Sequence, residues 1–238
     1  MFKTDREDRD STKRGDATRD HILEVALKLF RKRGFEATTM RDIARSAKIS
    51  LGGAYYYFPS KEALVFAFYD RVQQVHREKV EATCGGSGDL LERVRAALVA
   101  KLDVVEGDRA LLGALFRFVG EADHPLSVFG EGARGQREAA IAAFARALEV
   151  SELPPSLRDT AARALWAAHL GLLLHFIHDR SAGQQRTRRL AARIAELFCT
   201  AVRLASLPGA SAMLKPLLDA LAEAELIPSS PASEVVSP

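Results

Sequence analysis

One stretch limits this chain more than any other: residues 34–61, GFEATTMRDIARSAKISLGGAYYYFPSK. Two short helical segments flank a tight turn there, and the second is crowded with tyrosines and bordered by cations. That is the layout of a helix-turn-helix, in which one helix lies in the major groove of DNA and its neighbour braces the backbone. The spacing predicts a DNA-binding head.

The first of the two segments starts at Thr39, which with Asp42 three positions on fits a capping box. Ile43, Ala44 and Ala47 fall on its inner face, and Arg41, Arg45 and Lys48 on its outer one. Lys48-Ile49-Ser50 makes the turn. Ser50 then caps a helix from Leu51 to Phe58, which Pro59 ends because the residue before a proline avoids helical geometry. The motif covers about residues 39–58.

Gly52 and Gly53 are each unfavourable in a helix by roughly 1 kcal/mol relative to alanine. A bare backbone at a helix start lets another backbone approach and offers free N–H groups to a phosphate; the same pair would also suit a loop. Tyr55, Tyr56, Tyr57 and Phe58 point in four directions, since successive helical residues turn by about 100°. Phe58 and one tyrosine are expected to pack against flanking helices, leaving two tyrosines whose hydroxyls reach phosphates. Thr38 and Thr39 read as helix caps or phosphate contacts, and Arg41 and Lys61 as phosphate contacts or solvated cations.

Charge is distributed to match. Residues 1–61 carry 14 Lys/Arg against 9 Asp/Glu, and the remainder 20 against 22, so a basic head joins a nearly neutral body. Cys84 and Cys199 suit neither a disulfide framework nor a metal-ligand pattern. The polar N-terminus lacks the apolar core of a signal peptide, and no uninterrupted apolar run reaches the roughly 18 residues of a membrane span. A cytoplasmic protein without membrane contact is expected.

Apolar residues recur with helical spacing nearly throughout, so the expected fold class is all-α. A polar, disordered arm is expected at 1–15 and a head at 16–76, whose first helix (about 17–33) has Ile22, Ala26, Leu29 and Phe30 inside and Gly34 as its stop. Ser60 caps a long fourth helix that fades at the glycine-rich run Cys84–Gly88. A helical body at 77–226 follows, with helices at about 89–106, 109–121, 131–149, 155–180, 184–206 and 210–225, and a disordered proline- and serine-rich tail at 227–238.

TTMRDIARSAKISLGGAYYYFPSKEAL resembles the N-terminal signature of the tetracycline-repressor family of bacterial regulators, and the likeness extends over about residues 16–76. It rests on Gly34, the Thr38-Thr39 pair, Asp42-Ile43-Ala44, Ser50, Gly52, Tyr55, Phe58, Lys61, Glu62 and Leu64 in order and spacing. The resemblance implies base and phosphate contacts from Thr39, Ser50, Leu51, Gly52, Gly53, Tyr55, Tyr56 and Lys61. Two departures are Ala54, where the family often has a larger aliphatic residue, and Tyr57, where histidine is common.

For the body the resemblance implies a helical domain that dimerises through its last two long helices and often encloses a ligand pocket. Leu170, Leu173 and Ile177, with Leu190, Ile194, Leu197 and Ala201, are the expected interface of a homodimer. Phe116, Phe118, His124, Phe129, Phe144 and Trp166 are the expected lining for a small apolar or aromatic effector. His175 and His178 share a helix face at i, i+3, but a third ligand at motif spacing is missing, so no metal or cofactor is expected. No catalytic motif occurs. The pattern therefore predicts a regulator of transcription binding double-stranded DNA, a repressor released by its effector, with an architectural DNA binder lacking an effector as the alternative.

Overall fold

The computed structural model describes the backbone of residues 4–86, 88–121 and 123–223, and among these every regular element is a helix. The tail expected at 227–238 lies outside the described residues. The helices are α1 (Thr4–Arg33), α2 (Met40–Ala47), α3 (Leu51–Tyr57), α4 (Lys61–Cys84), α5 (Leu90–Val105), α6 (Arg109–Phe116), α7 (Arg134–Ala147), α8 (Pro155–His178), α9 (Gln185–Ala205) and α10 (Ala210–Glu223). Short 3-10 turns occupy Glu106–Asp108, Arg117–Gly120, Glu131–Ala133 and Ala182–Gln184.

The arm reading needs correction. α1 starts at Thr4 rather than near residue 17. Residues 4–15 contain no proline, and Gly15, the weakest helix former among them, disfavours the helix by only roughly 1 kcal/mol relative to alanine. Gly34, at φ 88°, ends α1 as expected, its N–H donating to the Phe30 carbonyl at 2.9 Å. On the inner stripe Leu27, not Leu29, is fully buried beside Ile22, Ala26 and Phe30.

The chain forms two units. The first comprises residues 1–73 and 105–137, the second 74–104 and 138–238, with α4 passing from one to the other. By packing, residues 105–137 group with residues 1–73, although they lie in the stretch expected as the body. Side chains far apart in sequence explain it. Phe35 stacks edge-on between Phe30 and Phe118, at 5.3 and 6.0 Å between ring centroids. Arg31 pairs with Asp108 at 2.6 Å, Arg117 with Glu36, and Gln136 donates to Asp70 at 2.8 Å.

The second unit is a helical bundle. Leu98 and Leu102 of α5, Ile141 and Phe144 of α7, and Leu165, Leu172 and Phe176 of α8 are all buried. By length and composition Leu157–His178, with a mean hydropathy of 1.2, is apolar enough to cross a membrane; here Leu165, Trp166, His169, Leu172 and Phe176 are buried within the protein. Asp179 accepts from the backbone N–H and hydroxyl of both Ser181 and Thr187, capping the start of α9. α9 has two apolar stripes. Thr187, Ala191, Ala195, Cys199 and Val202 are buried, whereas Leu190, Leu197 and Leu204 are exposed, Leu197 by 72%.

Candidate nucleic-acid interface

Local chemistry builds the motif. At the start of α2 the Thr39 side chain accepts from the Asp42 N–H at 3.2 Å, and the Asp42 carboxylate accepts from the Thr39 N–H at 3.1 Å and its hydroxyl at 2.6 Å. These two bonds from Thr39 hold the Asp42 carboxyl below the usual carboxylate range. Met40, Ile43, Ala44 and Ala47 are buried and Arg41 and Arg45 exposed. Lys48 ends α2 in the left-handed region at φ 58°, its N–H and that of Ile49 returning to the carbonyls of Arg45 and Ala44.

α3 begins at Ser50, whose hydroxyl accepts from the Gly53 N–H at 3.0 Å. Only Ala54 within α3 is buried; the small residue that departs from the family pattern is the one on the inner face. Phe58, just beyond, is buried, with the Arg19 guanidinium 4.9 Å above its ring. Tyr57 is half-buried and meets Tyr56 edge-on at 5.2 Å, while Tyr55 and Tyr56 are 47% and 83% exposed. A Cβ at Gly52 would meet nothing within 4 Å, so no contact within the chain calls for glycine there. Leu51, Gly52, Tyr55 and Tyr56 share the exposed side of α3, with the outer side of α2 carrying Thr39 and Arg41.

Two expected contacts are placed elsewhere. Thr38 is buried, its hydroxyl donating to the Gly34 carbonyl at 2.8 Å, because the short link between α1 and α2 turns its side chain inward. Lys61 is half-buried. Its ammonium donates to the Phe35 carbonyl at 2.9 Å and lies 4.4 Å from the centre of the Phe35 ring, tying the start of α4 to the end of α1.

The residues expected to line a pocket are divided between the two units. Phe116, Phe118, His124 and Phe129 belong to the first unit, and Phe144 and Trp166 to the second. Phe118 is buried and stacked on His124 at 3.8 Å. Phe129 is 59% exposed, since it lies in a turn closed by Gly130 N–H to Ser127 O and offers no helical face to bury. On the expected interface Leu173 is buried within the subunit and Leu174, its neighbour, is exposed; Leu170, Ile177 and Ile194 are half-buried, and Leu190, Leu197 and Ala201 exposed. His175 Nδ1 lies 2.8 Å from the Thr187 hydroxyl, whose proton goes to Asp179, so the imidazole donates.

Sequence reasoning passed over His76 and Lys101. Both are buried in the second unit, the His76 ring 5.7 Å from that of Phe144. The signal was present: Lys101 lies four and seven residues after the buried Ala97 and Val94, on the inner stripe of α5.

Residues 22–68 match the family model described as bacterial regulatory proteins, tetR family, and residues 93–221 match that of the tetracyclin repressor-like C-terminal domain. The chain is 48% identical over 54 residues to the HTH-type transcriptional regulator YuxN of Bacillus subtilis, covering 21% of this chain and 19% of that one. It is 30% identical over 172 residues to the HTH-type transcriptional regulator TtgR of Pseudomonas putida, covering 67% and 80%. Several curated relatives are matched over less than half their own length. Among solved structures, the Thermus thermophilus repressor FadR, captured with lauroyl-CoA, shares the fold with a TM-score of 0.59 at 22% identity, covering 75% of this chain and 93% of that one.

Proposed function

Because the chain belongs to the tetracycline-repressor family of bacterial transcription regulators, we propose that it is a homodimeric repressor that binds a palindromic operator and leaves it when a small effector binds the second unit. The observation that carries DNA binding is α3: two neighbouring tyrosines exposed to solvent beside a glycine whose missing side chain serves no contact within the chain. Tyr55 and Tyr56 direct hydroxyls to phosphates and rings to sugar or base edges, and the bare backbone at Gly52 and Gly53 lets the duplex approach. Ser50, Leu51, Thr39, Arg41 and Tyr57 border that surface. Thr38 and Lys61 act as positioning residues, fixing α2 and α4 to the end of α1.

Dimerisation is supported by the second stripe of α9. Leu190, Ile194, Leu197, Ala201 and Leu204 follow a heptad-like spacing on a side of α9 separate from the buried one, and a largely exposed seam of that kind suits a second copy of the same helix. Two heads held together match two half-sites and multiply a modest single-head affinity. FadR's lauroyl-CoA is a precedent for an effector with a large apolar part. The protein works in the cytoplasm, where its DNA is.

The test is selection from a randomised duplex library at about 0.15 M salt with excess competitor. Enrichment of an inverted repeat is expected. Recovery of no motif, with binding lost steeply as salt rises, would refute sequence-specific recognition.

A further inference from the structure

Within the second unit, α4 and α8 bring two imidazoles against one buried ring. His76 of α4 lies 5.7 Å from the Phe144 ring of α7, and His169 of α8 lies 5.3 Å from it, centre to centre. All three side chains are buried, His169 to 3% exposure.

The hydrogen bonding at the two histidines is incomplete. His76 Nε2 lies 2.8 Å from the Ala97 carbonyl, which only accepts, so Nε2 carries the proton and Nδ1 is a bare acceptor. That Nδ1 is buried with no partner among the protein atoms, as are both ring nitrogens of His169. Burial keeps both imidazoles neutral, lowering His76 to about 3 and His169 well below its ordinary value. A neutral His169 has one N–H and one bare nitrogen, so the pair leaves two acceptors and one donor unmet. A buried polar atom left unmatched carries its full desolvation penalty and calls for a partner. An anion has no hydrogen to give a bare nitrogen. A cationic donor needs a carboxylate, and those buried among the described residues, Asp108 and Asp179, already bond to Arg31 and to Ser181 and Thr187. No group of three His, Cys, Asp or Glu able to hold a metal ion occurs among the described residues. A neutral hydroxyl fits, because it donates a hydrogen and can also accept one. Leu98, Ile141, Leu172 and Phe176 are buried in the same unit, an interior that favours an apolar body on the molecule that carries it.

We propose that His76 and His169 form the polar end of the effector site and that the effector is a neutral, largely apolar alcohol or phenol, its hydroxyl hydrogen accepted by the bare imidazole nitrogens of this pair. The proposal rests on the effector reading above, and it assigns that effector's chemical class.

The test is calorimetric titration of the full-length protein with octanol, decanol, thymol and naphthol, and with the methyl ether of each, which keeps the oxygen and loses the hydrogen. The same compounds are tested for release of the selected operator. At least one hydroxyl compound is expected to bind below about 1 mM and to release DNA, its ether binding about tenfold more weakly or worse. In His76→Phe and His169→Phe, checked by thermal melting, the advantage of the hydroxyl over its ether is expected to shrink to about threefold or less in at least one variant. That difference is read within each variant, so a general loss of affinity does not imitate it. Should a variant fail to fold, the comparison of hydroxyl with ether on the natural chain decides. Ethers that bind as tightly as their parent compounds, or an advantage kept in both variants, overturn the hydroxyl assignment and leave the effector reading standing. If no hydroxyl compound binds, water alone serves the histidines and the proposal falls; if in addition no ether binds or disturbs the operator complex, the effector reading falls with it.

Discussion

In the proposed homodimer, replacing Leu197 with aspartate is expected to separate the subunits without unfolding them. Leu197 is 72% exposed in the single chain, so its loss removes little internal packing. Full burial of a leucine side chain contributes about 1.5–3 kcal/mol, and covering the exposed share about 1–2 kcal/mol per subunit. A two-fold interface counts each residue twice, giving about 2–4 kcal/mol, to which the desolvation of two carboxylates adds. At 1.4 kcal/mol per tenfold, the dimer dissociation constant rises at least about 30-fold and up to several hundredfold. Sedimentation over a concentration series measures it, with thermal melting of the dilute monomer as the control. Operator affinity falls in parallel, because the second head no longer binds from a tethered state. A dissociation constant within about threefold of the natural chain's would refute the assignment of the exposed α9 stripe to the interface.

Gly52→Ala leaves stability unchanged or raises it by up to about 1 kcal/mol, since the new methyl meets nothing and alanine is the better helix former. Operator affinity, read by fluorescence anisotropy, falls nonetheless; equal affinity would remove the case for close backbone approach. Tyr56→Phe weakens the operator complex by about 0.5–1.5 kcal/mol, the worth of one hydroxyl bond, without changing sedimentation. Thr39→Ala breaks the capping box and lowers folding stability by about 0.5–2 kcal/mol, measured by urea unfolding. Stability also falls as pH drops from about 6.5 toward 4. Burial above all, then the charge of Lys101, lowers His76 to about 3 and His169 well below its ordinary value, so in this window the unfolded chain takes up protons that the folded one refuses. Each histidine contributes a slope of up to about 1.4 kcal/mol per pH unit. Lys101 titrates above that window, and His169→Phe should flatten the slope; an unchanged slope would place His169 in contact with solvent.

The helices of the head and the residues that begin and end them were legible in the sequence because their causes are local. Thr39 and Asp42 reach each other across one turn, Ser50 needs only the Gly53 N–H, Pro59 acts on Phe58, and Gly34 supplies its own left-handed turn. Helical periodicity likewise separated Ile43, Ala44 and Ala47 from Arg41 and Arg45. Most helices of the body lie within a few residues of where their apolar spacing puts them.

What only the tertiary structure decided depends on partners distant along the chain. Arg31 and Asp108, or Phe35 and Phe118, are about 80 residues apart, and their pairing draws residues 105–137 into the first unit. Thr38 and Lys61 looked like surface groups until the link at Gly34–Phe35 gave each a carbonyl to bond. Phe129, expected in a pocket lining, is exposed, as it lies in a turn rather than on a helix face. The meeting of His76 and His169 needs α4 and α8 to converge on Phe144 of α7. Spacing within a helix reveals which face a residue occupies; which side chains meet there is set by packing between elements, where the burial of charge is also decided.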